Sequence, residues 1–353
     1  MTLERYEDRI IEQRQSHDER FNRYSPYCDL IYYPSTKEPG LRLAMRILKP
    51  IEPSPILVTT HGWHMSIPPF EHREEPYGDG KYLVVEVDMR GRAFSDGRPD
   101  CNGWELLDVI DAVRFVQDQY QEYISNPQLV YFEAGSGGGG NAYAIIAKFP
   151  DFFAAATAMC GISDYALWYE QDEIGEFRDE LDVWIGFPPK HNPEAYQSRS
   201  GLALAENLLT PLFIAHGDKD IRVPVEHARI YMKRIQELGL SRKVQYLELA
   251  GVGTREHWGN ASSEQFAQMQ EQSEVNRVRN AVPIEIPDKG SFIVAGYLVT
   301  KKFAVVLNDL DEVAVLHYDL NRKVFDVAGA KSGYSIYQRD DAERQKDFWG
   351  GLA

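Results

Sequence analysis

The sequence predicts an α/β fold: a doubly wound, mostly parallel sheet with a helical insertion and a small C-terminal β-module. Three observations carry this. Six short apolar runs, at 56–60, 82–88, 129–133, 154–159, 212–216 and 244–249, follow one another along the chain, as strands buried on both faces do. Helical patterns lie between them. In 104–120, Leu106, Ile110, Val113, Val116 and Tyr120 fall on one face, and 226–238 reads as a second amphipathic helix. Lastly, the run at 129–133 leads through a cluster of glycines around Ser136 into a small-residue, apolar helical stretch that Pro150 closes.

The elements follow in order. Residues 1–25 are rich in Glu, Arg, Asp and Gln, with sparse apolar positions such as Tyr6, Ile10 and Phe21, which predicts a charged helix or arm. Leu41, Leu43, Met45 and Ile47 alternate with Arg42, Ala44 and Arg46, a half-exposed antiparallel strand. The βα units occupy the rest of 26–281, interrupted at 164–207 by an excursion too long for an ordinary connection. It carries Trp168, Tyr169, Trp184 and Phe187 and is expected to lie over the site as an insertion or lid. From 282 to 340 the pattern becomes short strands, at 291–300, 303–308, 312–318 and 323–327, a β-module of meander type. With a thin core, it is expected to dock on the preceding domain or pair with a second subunit. Residues 341–353 form the tail.

Composition narrows the function. There are 54 acidic against 38 basic residues, a formal charge of −16, so neither nucleic acid nor an anionic membrane is the expected partner. Three widely spaced cysteines, Cys28, Cys101 and Cys160, suggest reduced thiols and a cytoplasmic protein. The start of the chain lacks the apolar core of a signal peptide, and no run approaches the length of a membrane span.

Strand, tight glycine turn and helix together are the setting of a nucleophile elbow in an α/β-hydrolase. The usual G-x-S-x-G appears here as Ala134-Gly135-Ser136-Gly137-Gly138. A flexible linker would not be flanked by a strand and an apolar helix, and a phosphate loop would require Lys-Ser/Thr after Gly140, where Asn141 stands. Gly135, Gly137 and Gly140 also satisfy the dinucleotide pattern G-x-G-x-x-G, without an acidic residue ending a clear second strand. A dinucleotide-binding protein and a catalytically silent protein on the same fold therefore stay open as alternatives.

Serine chemistry requires a base, an orienting acid and oxyanion donors. Downstream of Ser136, one strand ends in HGDKDIRVP and the next leads into AGVGTREHW. Asp220 and His257 occupy these two loops, in the order expected, with Asp218 as the competing acid. Trp63, in the turn Thr60-His61-Gly62-Trp63, and Gly137 are the expected oxyanion donors. His64, Trp168, Tyr169 and Trp184 are the candidate pocket residues. The loop spacing of His61, His64 and His72 is not that of a metal site, so these side chains are read as shaping the turn or the pocket. Neither metal nor cofactor is expected. Arg90, after the strand at 82–88, reads as a structural ion-pair partner.

From about residue 56 to 258 the chain resembles the catalytic domain of the prolyl oligopeptidase family of serine hydrolases. The HGW turn, VDMRGRAFSDG, the GSGGGG elbow followed by KFPDFFAAATAMCGISDY, WIGFPPKHNPEAYQSRS, PLFIAHGDKDIRVPVEHA and the EHW histidine carry the resemblance. It implies Ser136 as nucleophile, Asp220 as acid and His257 as base. Ala134 at the elbow, the C-terminal β-module and the lack of a β-propeller ahead of residue 56 depart from the family pattern. The expected function is hydrolysis of a small ester or amide through an acyl-enzyme, with peptidase activity as the alternative. The expected partners are a small ester or short peptide and, for assembly, a homo-oligomer. Activity is expected to fall below roughly pH 6 to 7, where an ordinary histidine protonates.

Overall fold

The computed structural model describes residues 21–172, 175 and 177–338. Most of the expected charged arm, and the tail, lie outside the described residues. Residues of the arm that are described include a two-residue strand, β1 (Arg23–Tyr24), rather than a helix end. Strands β2 (Cys28–Pro34), β3 (Arg42–Leu48), β4 (Ile56–Thr60), β5 (Leu83–Asp88), β6 (Val130–Gly135), β7 (Ala155–Met159), β8 (Leu212–Gly217) and β9 (Val244–Leu249) join it in one sheet. The order is β1-β2-β3-β5-β4-β6-β7-β8-β9. Pairing is antiparallel as far as β5 and parallel from there to β9.

The helices follow from the apolar faces read in the sequence. Helix α1 (Glu105–Gln119) buries Leu106, Ile110, Val113 and Val116, and α2 (Gly137–Lys148) is buried on all sides. The excursion folds into three short helices, α3 (Tyr165–Gln171), α4 (Arg178–Trp184) and α5 (Pro193–Gln197). Asp164 caps α3 by accepting from the Ala166 and Leu167 amides. Helix α6 (Glu226–Glu237) packs beside α1 and α2 in the main core, while α7 (Ser263–Arg279), started by a capping box at Ser262 and Gln265, seats Met269 on Phe213 and Ala215. The sheet is thus covered on both faces. Strand β3 departs from the half-exposed expectation. Its second face is also covered, because Ala44 packs with Ile67, Ala93 and Phe94 of the neighbouring loops and Arg46 pairs with Glu86.

A second, antiparallel sheet holds β10 (Lys289–Ala295), β11 (Tyr297–Val299), β12 (Phe303–Leu307), β13 (Val313–Asp319), β14 (Val324–Ala328) and β15 (Tyr334–Gln338). Where one strand was expected at 291–300, the chain reverses at Gly296, whose φ of 68° only glycine holds without strain, so that Ala295 faces Tyr297. The order β14-β13-β10-β11-β12-β15 also departs from a meander. The Gly296 amide donates to Glu312 and the Leu307 amide donates to Gly296, which steers the chain after β12 across to β10. Strand β15 then fills the edge that β12 would otherwise offer.

This sheet packs closely on the first. Tyr297 stacks on Trp104 with ring centroids 4.9 Å apart, and its hydroxyl donates to the Gly103 carbonyl. Lys148 Nζ, buried under the same ring, donates to the Ala295 carbonyl at 2.6 Å. Asn207 bridges the Ala147 and Ile293 carbonyls, and Arg199 pairs with Asp311 at 2.6 Å. Tyr297, Val299 and Ala304 belong to the same apolar cluster as the βα core.

Candidate active site

The site lies at the carboxyl ends of β4, β6, β7, β8 and β9, where a parallel sheet directs its loops to one edge. Ser136 sits between β6 and α2 with φ 57° and ψ −124°, a conformation that L-residues adopt only where the surroundings enforce it. Its amide donates to the Met159 carbonyl at 2.9 Å, and its carbonyl accepts from the Gly140 amide at 3.0 Å. Gly137 and Gly138 explain why small residues must flank it. A Cβ on Gly137 would stand 2.6 Å from the Trp63 amide nitrogen, and one on Gly138 would meet the Thr60 carbonyl at 2.6 Å and the Ala134 methyl at 2.8 Å. The alanine at the first elbow position is therefore accommodated by the glycine across from it.

His257 and Asp220 come to this serine from the two loops expected. His257 Nε2 lies 2.8 Å from Ser136 Oγ, and Nδ1 lies 2.6 Å from Asp220 Oδ2. The carboxylate is itself held: Asp220 Oδ1 accepts from the Arg222 and Val223 amides, each at 3.0 Å. Asp218 is elsewhere, accepting from the Gly251 amide at 2.7 Å. Burial opposes the imidazolium of His257, but the hydrogen bond it donates to Asp220 and the neighbouring Cys160 sulfur outweigh it and push the pKa up to about 10. Cys160 ends the β7 crossing beside the serine, and it is the residue here whose proximity was not read from the sequence. Its position directly after a parallel strand next to the strand that leads into Ser136 was the available signal.

The close approach of Trp63 to Gly137 sets two backbone amides near Ser136, since a Cβ on Gly62 would lie 3.9 Å from that of Ser136. The indole of Trp63 is buried in an aromatic cluster with Tyr165, Trp168, Phe177 and Trp184; Trp168 meets it edge-on at 4.9 Å and Trp184 at 4.6 Å. A recess of about 20 Å³, room for about one water, lies beside it, lined by Trp63, Met89, Arg92, Glu105, Gly137 and Trp184 among others. Of the four candidate pocket residues, Trp184 lines this recess and Trp168 packs behind Trp63. His64 is held by Glu180, its Nε2 2.7 Å from the carboxylate. Tyr169 is turned away, its ring against Tyr196 and its hydroxyl on Asp182.

Glu180, which the sequence gave no reason to single out, ties the excursion to the turn at Thr60–Trp63 by accepting from both His64 and the Trp63 indole, the latter at 2.5 Å. The other histidines do not converge. His61 accepts the Met89 amide with its burial-depressed ring, whose pKa is lowered to about 4, and His72 pairs with Glu74 on the surface. Arg90 clasps Asp108 through Nε and Nη2 at 2.6 and 2.9 Å and also reaches Glu38, the structural role expected of it.

The sequence profile of the prolyl oligopeptidase family matches residues 69–274, more than half of the chain. An uncharacterized peptidase, YtmA, of Bacillus subtilis (strain 168) is 26% identical over 157 residues, covering 44% of this chain and 59% of its own. Esterase LipC of Mycobacterium tuberculosis is 26% identical over 162 residues, covering 42% of this chain and 40% of LipC. Among solved structures, a Mycobacterium tuberculosis puromycin-hydrolyzing peptidase superposes with a TM-score of 0.59 at 20% identity, over 72% of this chain and 40% of that one. The chain thus spans 59% or less of the length of each. Among the described residues no helix is long and apolar enough to cross a membrane.

Proposed function

Because the chain belongs to the prolyl oligopeptidase family, we propose that it is a serine hydrolase cleaving a small carboxylic ester or amide through an acyl-enzyme. The observation that carries this is the continuous hydrogen-bonded series Ser136–His257–Asp220, at 2.8 and 2.6 Å. Ser136 Oγ attacks the substrate carbonyl while His257 Nε2 takes its proton; the imidazolium then gives that proton to the leaving group. Water repeats the sequence on the acyl-enzyme. Asp220 orients the ring through Nδ1–H, and the Trp63 and Gly137 amides stabilise the oxyanion.

Esters are the preferred substrates. An alkoxide or phenolate leaves more readily than an amine, so an ester asks less of the same machinery. The relatives include both an esterase and peptidases by name, so the peptidase stays as the second reading. Labelling with a fluorophosphonate probe, lost in Ser136→Ala, tests the nucleophile. Short-chain p-nitrophenyl esters are expected to turn over, with weak or no cleavage of aminoacyl and prolyl anilides. Efficient anilide cleavage with little esterase activity would select the peptidase, and an unlabelled Ser136 would reject both.

A further inference from the structure

Beside the proposed triad lies a thiol that the hydrolytic steps do not use. Cys160 follows β7 with φ 41°, buried to within 1% of full occlusion, and its amide donates to the Ala215 carbonyl at 2.8 Å. That backbone pairing fixes the side chain toward the loops after β8 and β9. As a result the Cys160 sulfur, an Asp220 carboxylate oxygen and a His257 ring nitrogen all lie within 4.8 Å of one another. The three donors come from three separate loops, so their convergence is a property of the fold and not of local sequence.

A sulfur, an imidazole nitrogen and a carboxylate oxygen are the donor set of a borderline or soft cation, with metal–ligand distances of about 2.0–2.3 Å for zinc. Hard cations such as Mg²⁺ bind oxygen donors and have no such preference. His257 keeps 15% of its side-chain surface exposed, which gives a small ion a path from the cleft.

We propose that Cys160, Asp220 and His257 form an inhibitory site for Zn²⁺ or Cd²⁺, resting on the serine-hydrolase reading for its effect on turnover but not for binding. Coordination through Nδ1 requires the imidazole proton to reside on Nε2. The Cys160 thiol loses its proton to solvent, and an imidazolium His257 loses its Nδ1 proton as well, so two protons leave for each ion bound where the ring starts charged and one where it starts neutral. In that tautomer Nε2 donates and has no lone pair for the Ser136 proton, and Asp220 no longer orients the ring. The ion thereby stops the general-base step without touching Ser136.

The test uses the full chain after treatment with EDTA and its removal. ZnCl₂ and CdCl₂ are titrated against p-nitrophenyl acetate turnover, with MgCl₂ as a control, and cadmium binding is read directly from the ultraviolet thiolate-to-metal charge-transfer band. Each protein is scored by the ratio of its rates with and without metal, so its own basal rate does not enter. The expected result is chelator-reversible inhibition by Zn²⁺ and Cd²⁺ only, with the cadmium band present. In Cys160→Ser and Cys160→Ala the band is lost and the inhibitory concentration rises by more than about tenfold, the least expected when a donor is removed. Absence of the band in the wild type, or a band and inhibition that persist in both variants, would overturn the site. If no ester turns over at all, the hydrolase reading fails separately, and the band still decides the metal site.

Discussion

Ser136 holds a positive φ that costs about 1–3 kcal/mol relative to a relaxed residue, so the fold spends stability to keep its hydroxyl in reach of His257. The two candidate acids differ in the same concrete way. Asp220 accepts two backbone amides on one oxygen and faces His257 with the other, whereas Asp218 braces Gly251. Asp220→Asn is expected to lower kcat by about 10⁴-fold, as loss of the orienting carboxylate does in a serine triad, and Asp218→Asn to leave turnover near wild type. Steady-state kinetics on an ester, with circular dichroism to confirm folding, check both, and the reverse ranking would reassign the acid. The pH profile follows from His257. A base must be neutral, and the carboxylate and sulfur that outweigh burial raise its pKa. Protonation therefore suppresses the rate up to a higher pH than an ordinary histidine allows, so kcat/KM is expected to climb through an apparent pKa above about 6.5. This moves the acid limb above the value of 6 to 7 that residue type alone suggests. A profile measured in EDTA that is already flat at pH 6 would contradict it.

At the scale of elements, much of the sheet was legible because apolar runs bounded by turn residues leave few alternatives. The limits of β4 and β9 coincide with their apolar runs, and those of β5 to β8 differ by a residue or two. The convergence of Ser136, Asp220 and His257 was legible too, since each follows the end of such a strand. Strands β2 and β15 were not: CDLIYYP mixes Asp and Pro into its apolar run, and YSIYQ is a short, largely surface-facing edge. The bend at Gly296 was hidden inside one continuous apolar run. Glu180 was hidden for a different reason. Within RDELD it reads as one more charge on a solvated face, yet it is 3% exposed and bonded to residues 116 and 117 positions away. This contact makes α4 a brace for the turn that carries Trp63, the proposed oxyanion donor. Glu180→Gln, which keeps shape but weakens both bonds, is expected to lower kcat by about tenfold or more with little change in KM, because an amide donor moves relative to the developing oxyanion. Glu180→Ala should be worse. Equal losses in kcat/KM through KM alone would assign α4 to substrate binding instead.

At the scale of the molecule, the second sheet is more than an appendage. Its own core holds Phe292 stacked on Tyr318 at 5.5 Å and Phe303 beside them, while Tyr297, Val299 and Ala304 complete the core of the first sheet. A chain ending at Ala281 would bare Trp104, Phe149 and the buried amine of Lys148, whose pKa burial already pulls down to about 7. Loss of a single buried aromatic residue costs about 3–5 kcal/mol, comparable with the whole stability of many domains. Such a chain is expected to aggregate or to melt far below the full protein, measured by size-exclusion chromatography and thermal denaturation. A monodisperse product of equal stability and unchanged kinetics would refute this.

The contact between Tyr297 and Gly103 also sets a schedule for synthesis. Its two residues are 194 positions apart, and at about 5–20 residues per second the second is made on the order of 10–40 s after the first. Once α1 and α2 have been made, and until Tyr297 follows, the apolar surface around Trp104 and Phe149 has no cover from the second sheet. The surface that α1 and α2 offer is thus closed by a strand made much later, so the order of synthesis leaves the cover of this core to β11.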